Sequence, residues 1–223
     1  MTATAIIPAR GGSKGIPRKN LEEVGGLSLV ARAIRTCLAS QRIESVIVSS
    51  DDSEILEEAH REGARVVLRP TELSNDSSRS EDALLHAIES STSIADIIAF
   101  VECTSPFINP KDLDEAISLV HNGDFDTVFS VSESDALLWA GKPDNLRPVN
   151  HNPFLQTMRQ ERSGQFIETG AFYCFQTKRF LENRLRFSGR IGGLVVPMET
   201  NLEIDYPVDL AVAQAIEDFT RER

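Results

Sequence analysis

Residues 3–20 read ATAIIPARGGSKGIPRKN, and this stretch decides the fold. Its first part, 3–8, is a short run of apolar and β-branched residues, which is typical of a buried strand. The loop that follows, 9–20, combines three glycines with four cations. Glycine lets a backbone approach a ligand closely and turn its N–H groups towards an anion. The stretch therefore predicts an α/β fold whose first strand runs into an anion-binding loop.

The rest of the chain repeats this alternation of apolar strands and amphipathic helices. Because the predicted strands are apolar along nearly their whole length, we expect a parallel sheet with helices on both faces. The predicted strands are 3–8, 45–49, 65–68, 97–101, 127–131, 170–175 and 193–197, and the predicted helices are 29–38, 53–61, 80–88, 111–120, 178–183 and 207–221.

Residues 132–169 interrupt this rhythm. They contain Pro143, Pro148 and Pro153 and show little periodicity. A stretch this long is uncommon as a simple loop, so we expect an insertion that forms a lid, a dimer arm or a small subdomain. The remainder of residues 1–223 is expected to form a single domain, because a chain of 223 residues has the size of one large domain.

The composition excludes several classes of protein. With 23 Lys and Arg against 34 Asp and Glu, the net charge is −11, which argues against a general nucleic-acid binder. No apolar run approaches the roughly 18 residues that span a bilayer, and no signal peptide precedes the first strand, so we expect a cytoplasmic protein without a membrane partner. The three cysteines are widely spaced, which indicates neither a disulfide framework nor a zinc site.

The cations are unevenly distributed. Residues 1–20 hold Arg10, Lys14, Arg18 and Lys19 and no carboxylate. A local cationic loop on an acidic protein favours one small anionic ligand over a polyanion. The loop fits neither the Walker A pattern nor the G-x-G-x-x-G pattern.

The segment IPARGGSKGIPRKN, residues 7–20, resembles the N-terminal signature of the CMP-acylneuraminate synthetases, also called acylneuraminate cytidylyltransferases. Further segments of the chain resemble the same family in the same order. They are VIVSSDD at 46–52, LRPTELSNDSSRS at 68–80, TSP at 104–106, ETGAFY at 168–173 and EIDYPVDL at 203–210.

This resemblance implies a three-layer Rossmann-like nucleotidyltransferase fold with a mostly parallel sheet and an inserted dimerisation arm at 132–169. The arm would also close over the neighbour's sugar site, so the protein would be a homodimer. The family activates a nine-carbon 2-keto sugar acid with CTP and releases pyrophosphate. The implied substrates are therefore CTP and a keto-sugar acid, and the implied cofactor is Mg²⁺.

The resemblance also assigns roles to individual residues. The catalytic cations that hold the triphosphate would be Arg10, Lys14 and Lys19. The nucleotide would contact Arg10, Gly11, Gly12, Ser13, Lys19, Asn20, Arg69, Ser78 and Ser80. The sugar acid would contact Glu102, Thr104, Ser105, Arg159, Gln160 and Thr169. For the serines Ser78 and Ser80 a helix N-cap is an equally simple interpretation, and for Arg159 a surface ion pair is the alternative.

Departures from the family pattern leave the acceptor open. Glu102 stands where relatives typically have glutamine, and Thr169 where they commonly have asparagine. The insertion also lacks a clear counterpart of a lysine that assists with the sugar carboxylate. Sialic acid is the default substrate, and legionaminic or pseudaminic acid, a sugar phosphate or phosphonate, or a catalytically inactive nucleotide-binding homologue are the alternatives.

The segment NLEIDYPVDL holds the candidate metal ligands. If it is extended, Glu203 and Asp205 point to one face, and paired carboxylates are hard oxygen ligands for Mg²⁺. Helix capping is the competing interpretation, because Pro207 is a favoured first helical residue and Asp209 suits the first turn.

Overall fold

The computed structural model describes residues 2–75, 77–155, 158, 162 and 164–221. The strands are β1 (Ala3–Pro8), β2 (Glu23–Val24), β3 (Leu27–Ser28), β4 (Ile43–Ser50), β5 (Arg65–Leu68), β6 (Ile97–Val101), β7 (Thr127–Glu133), β8 (Trp139–Lys142), β9 (Asn145–Pro148), β10 (Phe166–Gln176) and β11 (Ile191–Val195). The helices are α1 (Leu29–Ala39), α2 (Ser53–Arg61), α3 (Ser80–Glu89), α4 (Pro110–His121), α5 (Thr177–Asn183) and α6 (Pro207–Arg221).

A seven-stranded sheet with the order β11-β7-β10-β6-β1-β4-β5 forms the centre of the molecule. β1 pairs in parallel with both β4 and β6, and β5 and β11 pair in parallel with β4 and β7. β10 is antiparallel to its neighbours β6 and β7. The expectation of a mostly parallel sheet is therefore confirmed.

Helices cover both faces of this sheet and bury two apolar cores. Side chains of α1, α2, α4 and α6 pack on one face, and those of α3 and α5 pack on the other. The strands serve both cores because successive side chains point to opposite faces, so Ala5 and Ile7 face the first core and Ile6 the second. This explains why the central strands read as continuous apolar runs. In the part of the chain that is described, no helix is long and apolar enough to cross a membrane.

The irregular stretch is shorter than the predicted 132–169. β7 and β10 extend into it from both sides, and Phe166 pairs with Glu133 in their antiparallel ladder. Between them, β8 and β9 form a separate antiparallel pair that is mostly exposed. Periodicity did not reveal β8 and β9 because each has four residues and neither buries a regular apolar face.

Candidate active site

A cleft of about 270 Å³ lies at the carboxyl edge of the sheet. Pro8 ends β1, Arg69 follows β5 and Glu102 follows β6, and all three line the cleft. Ligands of open parallel sheets bind at this edge, because the loops that leave the strands converge there. The predicted site residues that line the cleft are Arg10, Gly12, Ser13, Lys19, Asn20, Arg69, Ser78, Ser80, Glu102, Thr104 and Glu203.

The glycine loop is fastened to its surroundings by backbone contacts. The N–H of Gly11 donates to Oδ1 of Asp51 at 3.0 Å, so it is engaged by the protein. A Cβ atom on Gly15 would lie 1.9 Å from the carbonyl oxygen of Asp205, which only glycine avoids. Asn20 is buried, and its Nδ2 donates to the carbonyl oxygen of Arg10 at 3.0 Å. These contacts fix the path of the loop along the cleft.

The predicted catalytic cations are placed differently from one another. Arg10 and Lys19 line the cleft, and Lys19 Nζ lies 2.7 Å from Oδ1 of Asp205. Lys14 is exposed and is not among the residues that form the cleft wall. A Cβ atom on Gly12 would meet nothing within 4 Å, so the backbone there is open to a ligand.

The segment after β5 forms a second wall. Arg69 is only 5% exposed, and its Nε donates to Oγ of Ser74 at 2.9 Å. Burial lowers the pKa of Arg69, with the charge of Asp51 opposing this effect. Ser78 donates to the carbonyl oxygen of Glu72 at 3.1 Å, and Ser80 is the first residue of α3. The N-cap of α3 is Arg79, so the capping interpretation of Ser78 and Ser80 is wrong.

The facing wall is acidic. Thr104 Oγ1 donates to Oε1 of Glu203 at 3.2 Å, and the N–H of Ile204 donates to the carbonyl oxygen of Thr104 at 2.9 Å. Burial and then the charge of Glu203 raise the pKa of Glu102 to about 7. Burial and then the charge of Asp205 raise the pKa of Glu203. The loop after β6 and the segment before α6 therefore hold three interacting carboxyl groups.

Some predicted sugar contacts are not brought to the cleft. Thr169 is 3% exposed, and its Oγ1 donates to Oγ of Ser130 at 2.6 Å inside the sheet. Ser105 is also 3% exposed and lies outside the cleft wall. Neither residue lines this cleft, because strand pairing and loop packing bury them. Arg159 and Gln160 lie outside the described residues.

The two interpretations of the segment before α6 apply to different residues. Oδ2 of Asp209 accepts from the N–H groups of Asp205 at 3.0 Å and Tyr206 at 2.7 Å, so Asp209 caps the helix. Its contacts with these N–H groups lower the pKa of Asp209. The side chain of Asp205 instead contacts Lys19, and Glu203 accepts from Thr104.

Ser74 and Asn75 also line the cleft, although the sequence did not mark them. They follow a short 3-10 turn after β5, and Asn75 Oδ1 accepts from the N–H of Ser77 at 2.9 Å. Turn-forming Ser and Asn after a strand were the signal that could have found them. A cationic glycine loop and several carboxyl groups thus line one cleft at the carboxyl edge of the sheet, where α/β proteins with open sheets bind their ligands.

Comparison with known proteins agrees with this class. The cytidylyltransferase family model matches residues 4–193. N-acylneuraminate cytidylyltransferase A from Danio rerio is 36% identical over 215 residues, which are 95% of this chain and 50% of that protein. A pseudaminic acid cytidylyltransferase from Campylobacter jejuni is 30% identical over 229 residues, and the matched region spans 100% of this chain and 99% of that protein. The chain belongs to the cytidylyltransferase family, and it spans about half the length of the Danio rerio relative.

A solved structure shares the fold at low sequence identity. It is a CMP:2-keto-3-deoxy-manno-octonic acid synthetase in complex with CTP, with a TM-score of 0.71, 16% identity and complete coverage of both chains. This similarity confirms the expected nucleotidyltransferase fold.

Proposed function

We propose that the protein transfers CMP from CTP to the anomeric hydroxyl of a nonulosonic acid and releases pyrophosphate. The observation that carries this proposal is one cleft that Arg10 and Lys19 line together with Glu102, Thr104 and Glu203. The names of the relatives supply the reaction, since they act on N-acylneuraminate and on pseudaminic acid.

The cations explain how phosphate chemistry would proceed here. Transfer of a nucleotidyl group spreads negative charge over phosphate oxygens, so the protein contributes mainly position and fixed positive charge. Arg10 and Lys19 would hold the triphosphate, with the open backbone at Gly12 admitting it closely. The acceptor hydroxyl would attack the α-phosphorus in line, and pyrophosphate would leave along the glycine loop.

The carboxyl groups fit a magnesium ion, which is part of the proposal. Burial, and after it the charge of Asp205, raise the pKa of Glu203, so a cation beside these carboxyl groups would be favourable. In the described part of the chain no cluster of three His, Cys, Asp or Glu side chains could hold a metal alone. Mg²⁺ usually takes one or two carboxylates together with substrate phosphates, so two ligands suffice. The bound ion would neutralise phosphate charge and favour ionisation of the acceptor hydroxyl.

Lys19 connects the cations proposed to hold the triphosphate with the carboxyl groups proposed to hold the magnesium ion. Its ammonium lies 2.7 Å from Oδ1 of Asp205. A triphosphate offers the ammonium a stronger anionic partner, and Asp205 would then be released to a cation. Lys19 therefore serves first to neutralise the acidic wall and then to bind phosphate.

A homodimer is also proposed, with the insertion as its arm. The segment around β8 and β9 exposes large apolar side chains, which fits an interface. They are Leu137, Leu138, Trp139, Leu146, Val149, Phe154 and Leu155.

We further propose a cytoplasmic location, because Cys37, Cys103 and Cys174 are all free and buried, as suits a reducing compartment.

Pyrophosphate release tests the function directly. The purified protein with Mg²⁺ is offered each of the four nucleoside triphosphates against a panel of 2-keto sugar acids, sugar phosphates and phosphonates. We expect release with CTP and a nonulosonic acid, and a loss of about 10²-fold or more in Arg10→Ala. Lys178→Ala, an exposed cation on α5, is the matched control and should remain active.

Other outcomes would contradict the proposal. Release with sugar phosphates or phosphonates alone would assign a different acceptor. Saturable CTP binding without release for any acceptor would indicate a nucleotide-binding homologue. Unchanged activity in Arg10→Ala would overturn the site assignment.

A further inference from the structure

One of the four cations of the glycine loop faces away from the cleft. Nη2 of Arg18 lies 3.1 Å and 3.0 Å from the two carboxylate oxygens of Asp52. The same nitrogen lies 2.5 Å from Oε2 of Glu54. Both acids belong to the turn where β4 ends and α2 begins. Arg18 therefore joins the loop to a neighbouring turn and does not line the cleft.

The backbone of Arg18 is unusual as well. Its φ is 54° and its ψ is 35°, which is the left-handed region that residues with a Cβ atom rarely adopt. Such a conformation persists only where surrounding contacts hold it, and these sites cluster at functional positions. Here the guanidinium contacts Asp52 and Glu54, and the carbonyl oxygen of Arg18 accepts from the N–H of Leu21 at 2.9 Å. The left-handed residue directly precedes Lys19, which begins a 3-10 turn and turns its ammonium towards Asp205.

The other end of the loop is tied to the same turn. The N–H of Gly11 donates to Asp51, and a Cβ atom on Gly11 would lie 2.7 Å from Cβ of Asp52. Asp52 also caps α2, since its Oδ1 accepts from the N–H of Glu54 at 2.9 Å. The turn that receives Arg18 is thus fixed by both a strand and a helix.

We propose that Arg18 is a positioning residue, which binds no phosphate and instead fixes the end of the glycine loop so that Lys19 faces the nucleotide. As far as the nucleotide is concerned, this inference rests on the proposed function. The ordering of the loop does not depend on it, because every contact above is made between residues of the chain itself.

A plain surface ion pair is the competing explanation. Exposed pairs contribute little to stability, and the side chain of Arg18 is 46% exposed. Arg35 provides the comparison, because it is 53% exposed and bonds both oxygens of Glu62 at 2.6 Å and 2.8 Å. Arg35 lies on α1 and adjoins no cleft residue in sequence. If Arg18 were only a surface pair, the two arginines would behave alike.

Hydrogen exchange and nucleotide kinetics separate the two explanations. The variants are Arg18→Ala, Arg18→Lys and Arg18→Gly, with Arg35→Ala as the matched control. In the ligand-free protein, amide exchange within residues 9–20 should rise several-fold in Arg18→Ala and stay unchanged in Arg35→Ala. A misplaced binding group can cost up to about 10²-fold, so we expect the KM for CTP to rise by about tenfold with a smaller change in kcat.

The two remaining variants identify which property of Arg18 matters. Arg18→Gly permits the left-handed backbone without the guanidinium and should behave like Arg18→Ala. Arg18→Lys keeps the charge but replaces the longer, planar guanidinium with a compact ammonium on a flexible stem, so it should restore exchange and KM only in part. Full recovery in Arg18→Gly would overturn the role of the ion pair.

The failures of the two proposals are distinguishable. Equal exchange and equal KM in Arg18→Ala and Arg35→Ala would overturn the positioning role. If the unmodified protein releases no pyrophosphate from CTP, the proposed function fails, and loop exchange alone still decides whether Arg18 orders the loop. Equal thermal unfolding midpoints for the two alanine variants exclude a general loss of structure as the cause.

Discussion

Glu102 carries a charge that depends on its surroundings. Burial and the neighbouring Glu203 raise its pKa from 4.5 to about 7. Between these values the folded protein binds more protons than the unfolded chain, so the free energy of unfolding falls as pH rises through this window. Above about 7 the carboxylate is ionised in both states, and its contribution to the pH dependence ends.

Glu102→Gln should therefore flatten the pH dependence of stability. We expect a smaller fall in the free energy of unfolding between pH 4.5 and about 7, and a more stable protein above this window. Urea unfolding at a series of pH values measures the effect. Glu57→Gln, on the exposed side of α2, is the control and should retain the slope. An unchanged slope in Glu102→Gln would show that Glu102 does not titrate in this window.

At the scale of single residues, the sequence predicted which side chains have suitable chemistry better than it predicted where those side chains lie. Lys19 and Arg18 are adjacent cations, yet one lines the cleft and the other faces the turn at Asp52. The left-handed backbone at Arg18 separates them, and no residue type in the loop encodes that conformation. Thr169 shows the same limit, because its burial follows from pairing between β7 and β10, which are distant in sequence.

At the scale of elements, local patterns were sufficient for most of the fold. The bounds of α2, β5 and β6 match the predicted ranges, because each has a consistent apolar period and clear polar boundaries. The hairpins were missed, since β2 and β3 have two residues each and show no measurable period. That β10 lies antiparallel between parallel strands was also beyond local patterns.

Arg32 connects several elements of the fold. Arg32 lies on α1, and its Nη2 donates to Oε2 of Glu217, on α6, at 2.9 Å. Its Nη1 donates to the carbonyl oxygen of Val24 at 2.9 Å, and its Nε donates to the carbonyl oxygen of Pro106 at 3.2 Å. Its guanidinium also lies over the ring of Phe107. The pair with Glu217 is largely buried, so these bonds should stabilise more than surface contacts do.

Arg32→Met should destabilise the protein by about 2 kcal/mol, because charged hydrogen bonds are lost and Glu217 is left without this partner. Urea unfolding measures the loss, and Arg35→Met, which breaks a more exposed pair, should lose less. Adding Glu217→Gln to Arg32→Met should cost little more, since the two changes remove one shared interaction. Equal losses in Arg32→Met and Arg35→Met would contradict a special role for Arg32.

At the scale of the whole molecule, exposed apolar surface is concentrated near β8 and β9. Phe154 is 92% exposed and Trp139 is 47% exposed, which is a costly arrangement for an isolated protomer in water. The proposed homodimer would cover these side chains. A stable interface needs about 1,200 Å² or more of buried surface, and the arm offers side chains of the size that such interfaces use.

The double variant Trp139→Ser, Phe154→Ser should therefore be monomeric under conditions where the unmodified protein is a dimer, as sedimentation velocity would show. Phe219→Ser removes an aromatic side chain that is 58% exposed on α6, away from the arm, and should leave the dimer intact. A monomeric unmodified protein would contradict the arm as an interface. If Phe219→Ser is monomeric while the double variant of the arm stays dimeric, the interface lies at α6 and not at the arm. If the arm variant is monomeric, its pyrophosphate release decides whether the neighbouring protomer completes the sugar site, because a self-sufficient cleft keeps its activity after dissociation.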